Sequence, residues 1–183
     1  MTSVVVIGAD GAGKSSVLRA LKTYGFLTAD VDSLVAYELA VSPEDMFLEV
    51  PSEQRRACAR RVACDLLADI RADRETRFAV ALPADFCDDV ELEATCDSLR
   101  KCEHVVFLHV RASVDVLMRR LGMFGPRVTN VVLPRKELSI RLEERLPRYE
   151  EYADFDFDTS RFELSDLEKE LANRVIMLIN TGS

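Results

Sequence analysis

The chain has 183 residues, of which 48% are apolar and 31% charged, and its net charge is −8. That is the length of one domain with enough apolar residues for a core, and it excludes a disordered chain. A negative field repels phosphate backbones, so nucleic acid is not an expected partner. Five cysteines with no C-x-x-C spacing, and only two histidines, speak against a zinc site and imply buried or incidental thiols in a reducing compartment. The N-terminus enters an apolar run directly, with no signal peptide, and no stretch is long and apolar enough to span a bilayer. The expectation is a cytoplasmic protein with no membrane partner.

Apolar runs alternate with helical periodicity, which predicts an α/β fold with a mostly parallel sheet. Val4–Ile7 reads as a buried strand, and 15–24 as a helix with Val17, Leu18 and Leu21 on one face. Phe26–Ala29 reads as a second strand ending at Asp30-Val31-Asp32, followed by a helix over Leu34–Leu39 and a break at Ser42-Pro43. A long helix is predicted over Glu53–Arg71, with arginines opposite its apolar stripe. Phe78–Leu82 is a third strand closed by Pro83, Val90–Leu99 a helix and Val105–Val110 a fourth strand. Ser113 is expected to cap a helix ending near Leu121-Gly122. The stretch 122–134 reads as irregular, 137–146 as helical and Phe155–Asp158 as an edge strand. Leu164, Leu167, Leu171, Val175, Leu178 and Ile179 mark a closing amphipathic helix. No linker or repeat interrupts the pattern, so residues 1–183 read as one domain.

Gly8-Ala9-Asp10-Gly11-Ala12-Gly13-Lys14-Ser15 fits G-x-x-x-x-G-K-[ST] between a strand and a helix. A loop that wraps a phosphate must turn its backbone N–H groups inward, and side chains would obstruct it. The helix that follows directs its positive end at the anion. Lys14 is then expected to neutralise the β- and γ-phosphates of ATP and Ser15 to ligate Mg²⁺. Gly11, Ala12, Gly13 and Ser16 complete the expected nucleotide cradle. Asp30 and Asp32 end the second strand, where ligands collect in open α/β sheets. Two apart in extended chain, they are expected to point the same way and to serve the metal and an acceptor hydroxyl; a solvated loop with Asp32 capping the next helix is the alternative. The arginines of the long helix read as a solvated face. Arg119, Arg120, Arg127 and Arg135 flank the irregular 122–134 stretch, which suits a lid that closes over the reacting phosphoryl; an ordinary surface loop is the alternative. His109 reads as a satisfied strand histidine rather than a base.

With these motifs in place, the chain resembles the shikimate kinase family over nearly its whole length. The P-loop from Gly8 to Ser16, Asp30-Val31-Asp32 and the segment Arg145-Leu146-Pro147-Arg148-Tyr149-Glu150-Glu151-Tyr152-Ala153-Asp154 each match its pattern. The resemblance implies a three-layer P-loop kinase fold: a five-stranded parallel sheet flanked by helices, a substrate-binding helical region over about 32–72 and a lid over about 122–134. It implies a monomeric enzyme that transfers the ATP γ-phosphoryl to the 3-hydroxyl of shikimate. Under it, Lys14, Asp32 and Arg127 would be catalytic, Arg119 and Arg120 would serve the nucleotide, and Ser15 and Asp30 would serve Mg²⁺. Asp32, Arg56 and Arg145 would bind shikimate, with Arg145 on its carboxylate. The chain departs from the family in three places. Ala81-Leu82-Pro83-Ala84-Asp85 stands where the family has a triple-glycine turn. Ala57 stands at the arginine of the substrate helix, leaving Arg56 or Arg60 to substitute. Gly125-Pro126-Arg127-Val128 replaces the family's lid sequence. A kinase for another small hydroxylated or nucleotide acceptor, and a nucleotide-binding protein without turnover, are the other readings of the same residues.

Overall fold

The structure, a computed structural model, describes residues 1–121, 132–162, 173, 176 and 177. Its chain order is β1 (Ser3–Ile7), α1 (Lys14–Lys22), β2 (Leu27–Asp30), α2 (Val31–Glu38), α3 (Pro43–Glu49), α4 (Ser52–Ala72) and β3 (Phe78–Ala81). A single 3₁₀ turn (Phe86–Asp88) leads to α5 (Val90–Leu99), β4 (Val105–Arg111), α6 (Val114–Arg120), α7 (Val132–Tyr152) and β5 (Phe155–Asp158). The five strands form one parallel sheet in the order β2-β3-β1-β4-β5.

The sheet is covered on both faces, as parallel sheets are. Strand β1 shows how its sequence dictates this. Val4 and Val6 enter a core shared with Val17, Leu21 and Leu117 from α1 and α6. Val5 and Ile7 enter the opposite core, with Val35, Leu67 and Ile70 from α2 and α4. Alternate side chains of a strand face opposite sides, so an unbroken valine-rich run is what a central strand requires. Because all the strands run the same way, the loops after β1, β2 and β3 gather at one edge, with Val6 level with Ala81 and Ala81 level with Asp30.

Four differences from the sequence expectations bear on that edge. The Ser42-Pro43 break is instead the start of α3: the Ser42 hydroxyl accepts from the Asp45 N–H at 3.1 Å, and Pro43 fills a first-turn position that needs no N–H partner. The helix after β2 begins at Val31, not near Leu34, so Asp32 lies in its first turn rather than in extended chain. Asp30, not Asp32, caps that helix. Helix α7 starts at Val132, inside the stretch read as irregular, and runs through Pro147 to Tyr152. The remaining lid residues 122–131, Arg127 among them, lie outside the described residues. So does most of the expected closing helix, although Asn173, Ile176 and Met177 are helical. No described helix is long and apolar enough to cross a membrane.

Candidate phosphoryl-transfer site

The loop Gly8–Gly13 leaves the end of β1 and delivers the chain into α1. Gly8 takes φ 142° and Gly13 φ 109°, backbone conformations that side chains disfavour. Gly8 also has no room: a Cβ there would fall well inside contact distance of the Val110 carbonyl oxygen on β4. Gly8→Ala is therefore expected to cost about 2–4 kcal/mol of stability, through strain and a clash between backbones. Urea unfolding of the two proteins measures this, and an unchanged midpoint would contradict the packing of the loop against β4.

Lys14 opens α1 and is 8% exposed. Its ammonium donates to the Gly8 and Ala9 carbonyls at 2.8 and 3.3 Å and lies 3.7 Å from Asp10. Asp10, an acid within the loop, is thus a partner of the buried lysine. The Ser15 hydroxyl donates to Asp30 Oδ2 at 2.7 Å. A hydroxyl and a carboxylate held this close are the oxygen donors a hard divalent cation takes. Ser16 is buried, and its hydroxyl accepts from Arg19 at 3.0 Å.

These groups line a cleft of about 340 Å³ that also contains Asp32, Met46, Phe47 and Arg120. Asp30 and Asp32 therefore meet in one cleft despite the corrected backbone. Burial pushes the Asp32 carboxyl up to about 6, with the Lys14 charge pulling the other way and Asp10, Asp30 and Asp85 adding to the rise. The N-terminal end of α2 favours the ionised form as well, and burial outweighs it. A carboxyl poised near neutral pH can accept a proton and return it.

The arginines sort themselves by contact. Arg120 lies at the cleft wall, yet its guanidinium donates to Gly11 O and Ala12 O at 3.2 Å each, and to Thr159 Oγ1 at 2.8 Å and Thr159 O at 2.9 Å. It braces the outside of the P-loop against the chain leaving β5. Arg119 on the same helix is exposed. Arg56 lies 3.6 Å from Asp85, and Arg145 donates to Asp88 at 2.7 Å. Neither lines the phosphate cleft; both meet the turn after β3. His109 is satisfied as expected, 2.7 Å from Asp156 and buried, and burial holds its imidazole below the usual range.

Sequence reasoning missed what holds that turn. The Tyr149 hydroxyl donates to Ala84 O at 2.5 Å, and its ring stacks on Phe86 with centroids 6.1 Å apart. Leu82 donates its N–H to Val6 O at 3.0 Å. Pro83 thus sits in a turn whose neighbours supply the hydrogen bonds it cannot make. The Asp154 carboxylate accepts from Phe107 N at 2.7 Å and ties the end of α7 to β4. In the segment after Arg145, Tyr149 therefore holds the turn after β3 and Asp154 holds β4, and neither lines the cleft. The cysteines are free among the described residues, and burial pushes the Cys87 thiol up to about 11.

No protein-family model matches the chain. The chain is 32% identical over 181 residues to a shikimate kinase of Frankia casuarinae, covering 98% of this chain and 75% of that protein. It is 31% identical over 157 residues to a shikimate kinase of Thermobifida fusca, covering 85% of this chain and 84% of that one. Among solved structures, shikimate kinase from Acinetobacter baumannii in complex with shikimate superposes with a TM-score of 0.68 at 17% identity, over 97% of this chain and 94% of that chain.

Proposed function

The chain belongs to the shikimate kinase family, and from that membership we propose that it transfers the γ-phosphoryl of ATP to the 3-hydroxyl of shikimate. The observation that carries the proposal is the meeting, in one cleft, of the P-loop Lys14, the Ser15–Asp30 pair and Asp32, whose carboxyl burial pushes up to about 6.

In this reading the P-loop backbone and the α1 terminus hold the triphosphate, and Lys14 turns from the Gly8 and Ala9 carbonyls to the β- and γ-phosphates. Ser15 and Asp30 are the residues that would hold Mg²⁺, which when bound spreads the charge of the transferring group. Asp32 accepts the hydrogen bond of the acceptor hydroxyl and orients its oxygen in line with the γ-phosphorus. The new bond joins that oxygen to phosphorus, the bridging bond to ADP breaks, and the hydroxyl proton passes to Asp32. Pro43, Met46 and Phe47 of α3 wall the acceptor side of the cleft. The helical region 32–72 is thus where the acceptor is received. Arg127 and the lid would supply further positive charge, and Arg119 would face the nucleotide. A monomer in the cytoplasm acting on a small molecule completes the reading, in keeping with a chain whose net charge is −8.

The test is ADP release by the purified protein with Mg-ATP, with and without shikimate, and ³¹P NMR of the product. Shikimate-dependent release with phosphate on the 3-hydroxyl is expected. Nucleotide binding with no shikimate-dependent release would reject this acceptor and favour another hydroxylated one.

A further inference from the structure

Behind the phosphate loop, the Ala12 carbonyl accepts two hydrogen bonds from side chains far away in sequence. The Thr159 hydroxyl donates to it at 2.7 Å and the Arg120 guanidinium at 3.2 Å. Thr159 directly follows β5 and is fully buried, and neither it nor Ala12 lines the cleft. The backbone fixes its place. Its N–H donates to Arg111 O at 2.9 Å, and its carbonyl accepts from Phe162 N–H at 3.2 Å and from Arg120 at 2.9 Å. The Thr159 hydroxyl itself accepts from Arg120 at 2.8 Å, so its one proton is left for a carbonyl. Ala12 O, at 2.7 Å, is nearer than Arg111 O at 3.2 Å.

These bonds all run in one direction. A guanidinium that donates to a hydroxyl makes the hydroxyl a stronger donor, and a carbonyl that accepts strongly makes the N–H of its own peptide unit a stronger donor in turn. The Ala12–Gly13 peptide is trans, so the Gly13 N–H points opposite to the Ala12 carbonyl. Gly13 lines the cleft, and no backbone carbonyl among the described residues accepts from its N–H. Arg120, Thr159, Ala12 and Gly13 thus form a chain of dipoles whose last donor is turned toward the cleft. Gly13 takes φ 109°, where the backbone has freedom that a side chain would remove. The two bonds on Ala12 O take that freedom away from the peptide, so the donor need not reorganise when an anion arrives.

We propose that Thr159 is a positioning residue of the phosphate loop: it holds the Ala12–Gly13 peptide with its N–H toward the cleft and strengthens that N–H as a donor to a bound nucleotide phosphate. This rests on the reading of the loop as a nucleotide cradle and is independent of which acceptor the enzyme takes.

The experiment is calorimetric titration of Mg-ADP into the full chain, with the Gly13 amide followed by ¹H–¹⁵N NMR in the same samples. Wild type is compared with Thr159→Val, which keeps the shape and removes the hydroxyl, with Thr159→Ala as a second hydroxyl-free variant, and with Thr159→Ser, which keeps the hydroxyl and removes the methyl. In wild type the Gly13 amide proton is expected to move downfield when Mg-ADP binds. In Thr159→Val and Thr159→Ala, Mg-ADP is expected to bind about ten-fold more weakly, through the loss of one strong hydrogen bond behind the loop, and the downfield movement to shrink. Thr159→Ser is expected to bind within about two-fold of wild type and to keep the movement. A role in packing alone would give the reverse order, with Thr159→Ser weakened and Thr159→Val spared. Wild-type affinity in both hydroxyl-free variants, or an undiminished Gly13 movement in them, overturns the proposal and leaves the nucleotide cradle standing. Equal weakening in Thr159→Ser overturns it as well. A wild-type protein that binds no Mg-ADP overturns the proposal together with the reading of the loop.

Discussion

Lys14→Ala is expected to lower kcat for ADP release by about a thousand-fold or more while the protein stays folded. Lys14 is the buried cation of the cleft, and its present partners are loop carbonyls and the exposed Asp10. A bound triphosphate offers it a better partner than a neutral carbonyl. The attraction grows as charge shifts onto the leaving oxygen, so the interaction is worth most in the transition state. Loss of one such donor from a water-poor site typically costs about 10²–10³ in kcat, and a full charge costs more. A second readout separates this role from a purely structural one. The Lys14 charge now holds the Asp32 carboxyl down against burial. Without it, the acid limb of the residual activity should move to higher pH. Single-turnover rates over a pH series measure both effects. A kcat within ten-fold of wild type would remove Lys14 from the reaction.

The parts legible in the sequence are those that chemistry fixes locally. A phosphate loop needs glycine at positions of positive φ and a lysine at the mouth of a helix, and Gly8, Gly13 and Lys14 stand where that requirement puts them. The strands were legible because a valine-rich run buried on both faces admits few alternatives. What was not legible depends on distant partners or on end effects. Arg145 and Asp88 are 57 residues apart in sequence, and nothing near either announces the pair. The expectation for Arg120 was a place at the nucleotide, beside a stretch that reads as irregular, and it does line the cleft. Its direction is set by Thr159, 39 residues away, which is buried only because β5 docks beside β4. Helices were misread where capping outweighs propensity: Asp30 begins α2 earlier than the apolar periodicity suggests, and Ser42 begins α3 where the sequence showed only a break. Asp85, Asp88 and Asp89 likewise meet arginines from α4 and α7 that nothing in their own stretch of sequence announces.

Asp32→Asn is expected to do two opposite things: to lower kcat by about 10²–10³ and to raise stability at neutral pH. The first follows from the loss of the group that orients the acceptor hydroxyl and takes its proton, a contribution that commonly amounts to about 10²–10⁴. The second follows from the cost of keeping that group ionised. Its carboxyl lies near 3.8 in the unfolded chain and about 6 in the fold, mainly because of burial. The native state therefore binds the proton more tightly. Between pH 4 and pH 6 the native protein holds more protons than the unfolded chain, so this group makes stability fall as pH rises through that window. Above pH 6 the full cost applies, on the order of 3 kcal/mol from the difference of about two units. Below pH 4 both states are protonated and the cost vanishes. An amide keeps the size and removes the charge, so the melting temperature of Asp32→Asn should exceed that of wild type by about 5–10 °C at pH 7 and by little at pH 4. In wild type, the same ionisation should appear as an acid limb in kcat/KM near pH 6. Thermal unfolding at the two pH values and a pH–rate profile test the pair of effects together. A variant that is inactive and no more stable at pH 7 would mean that the buried charge costs nothing. A variant that is stabilised and fully active would mean that the acceptor hydroxyl finds its base elsewhere.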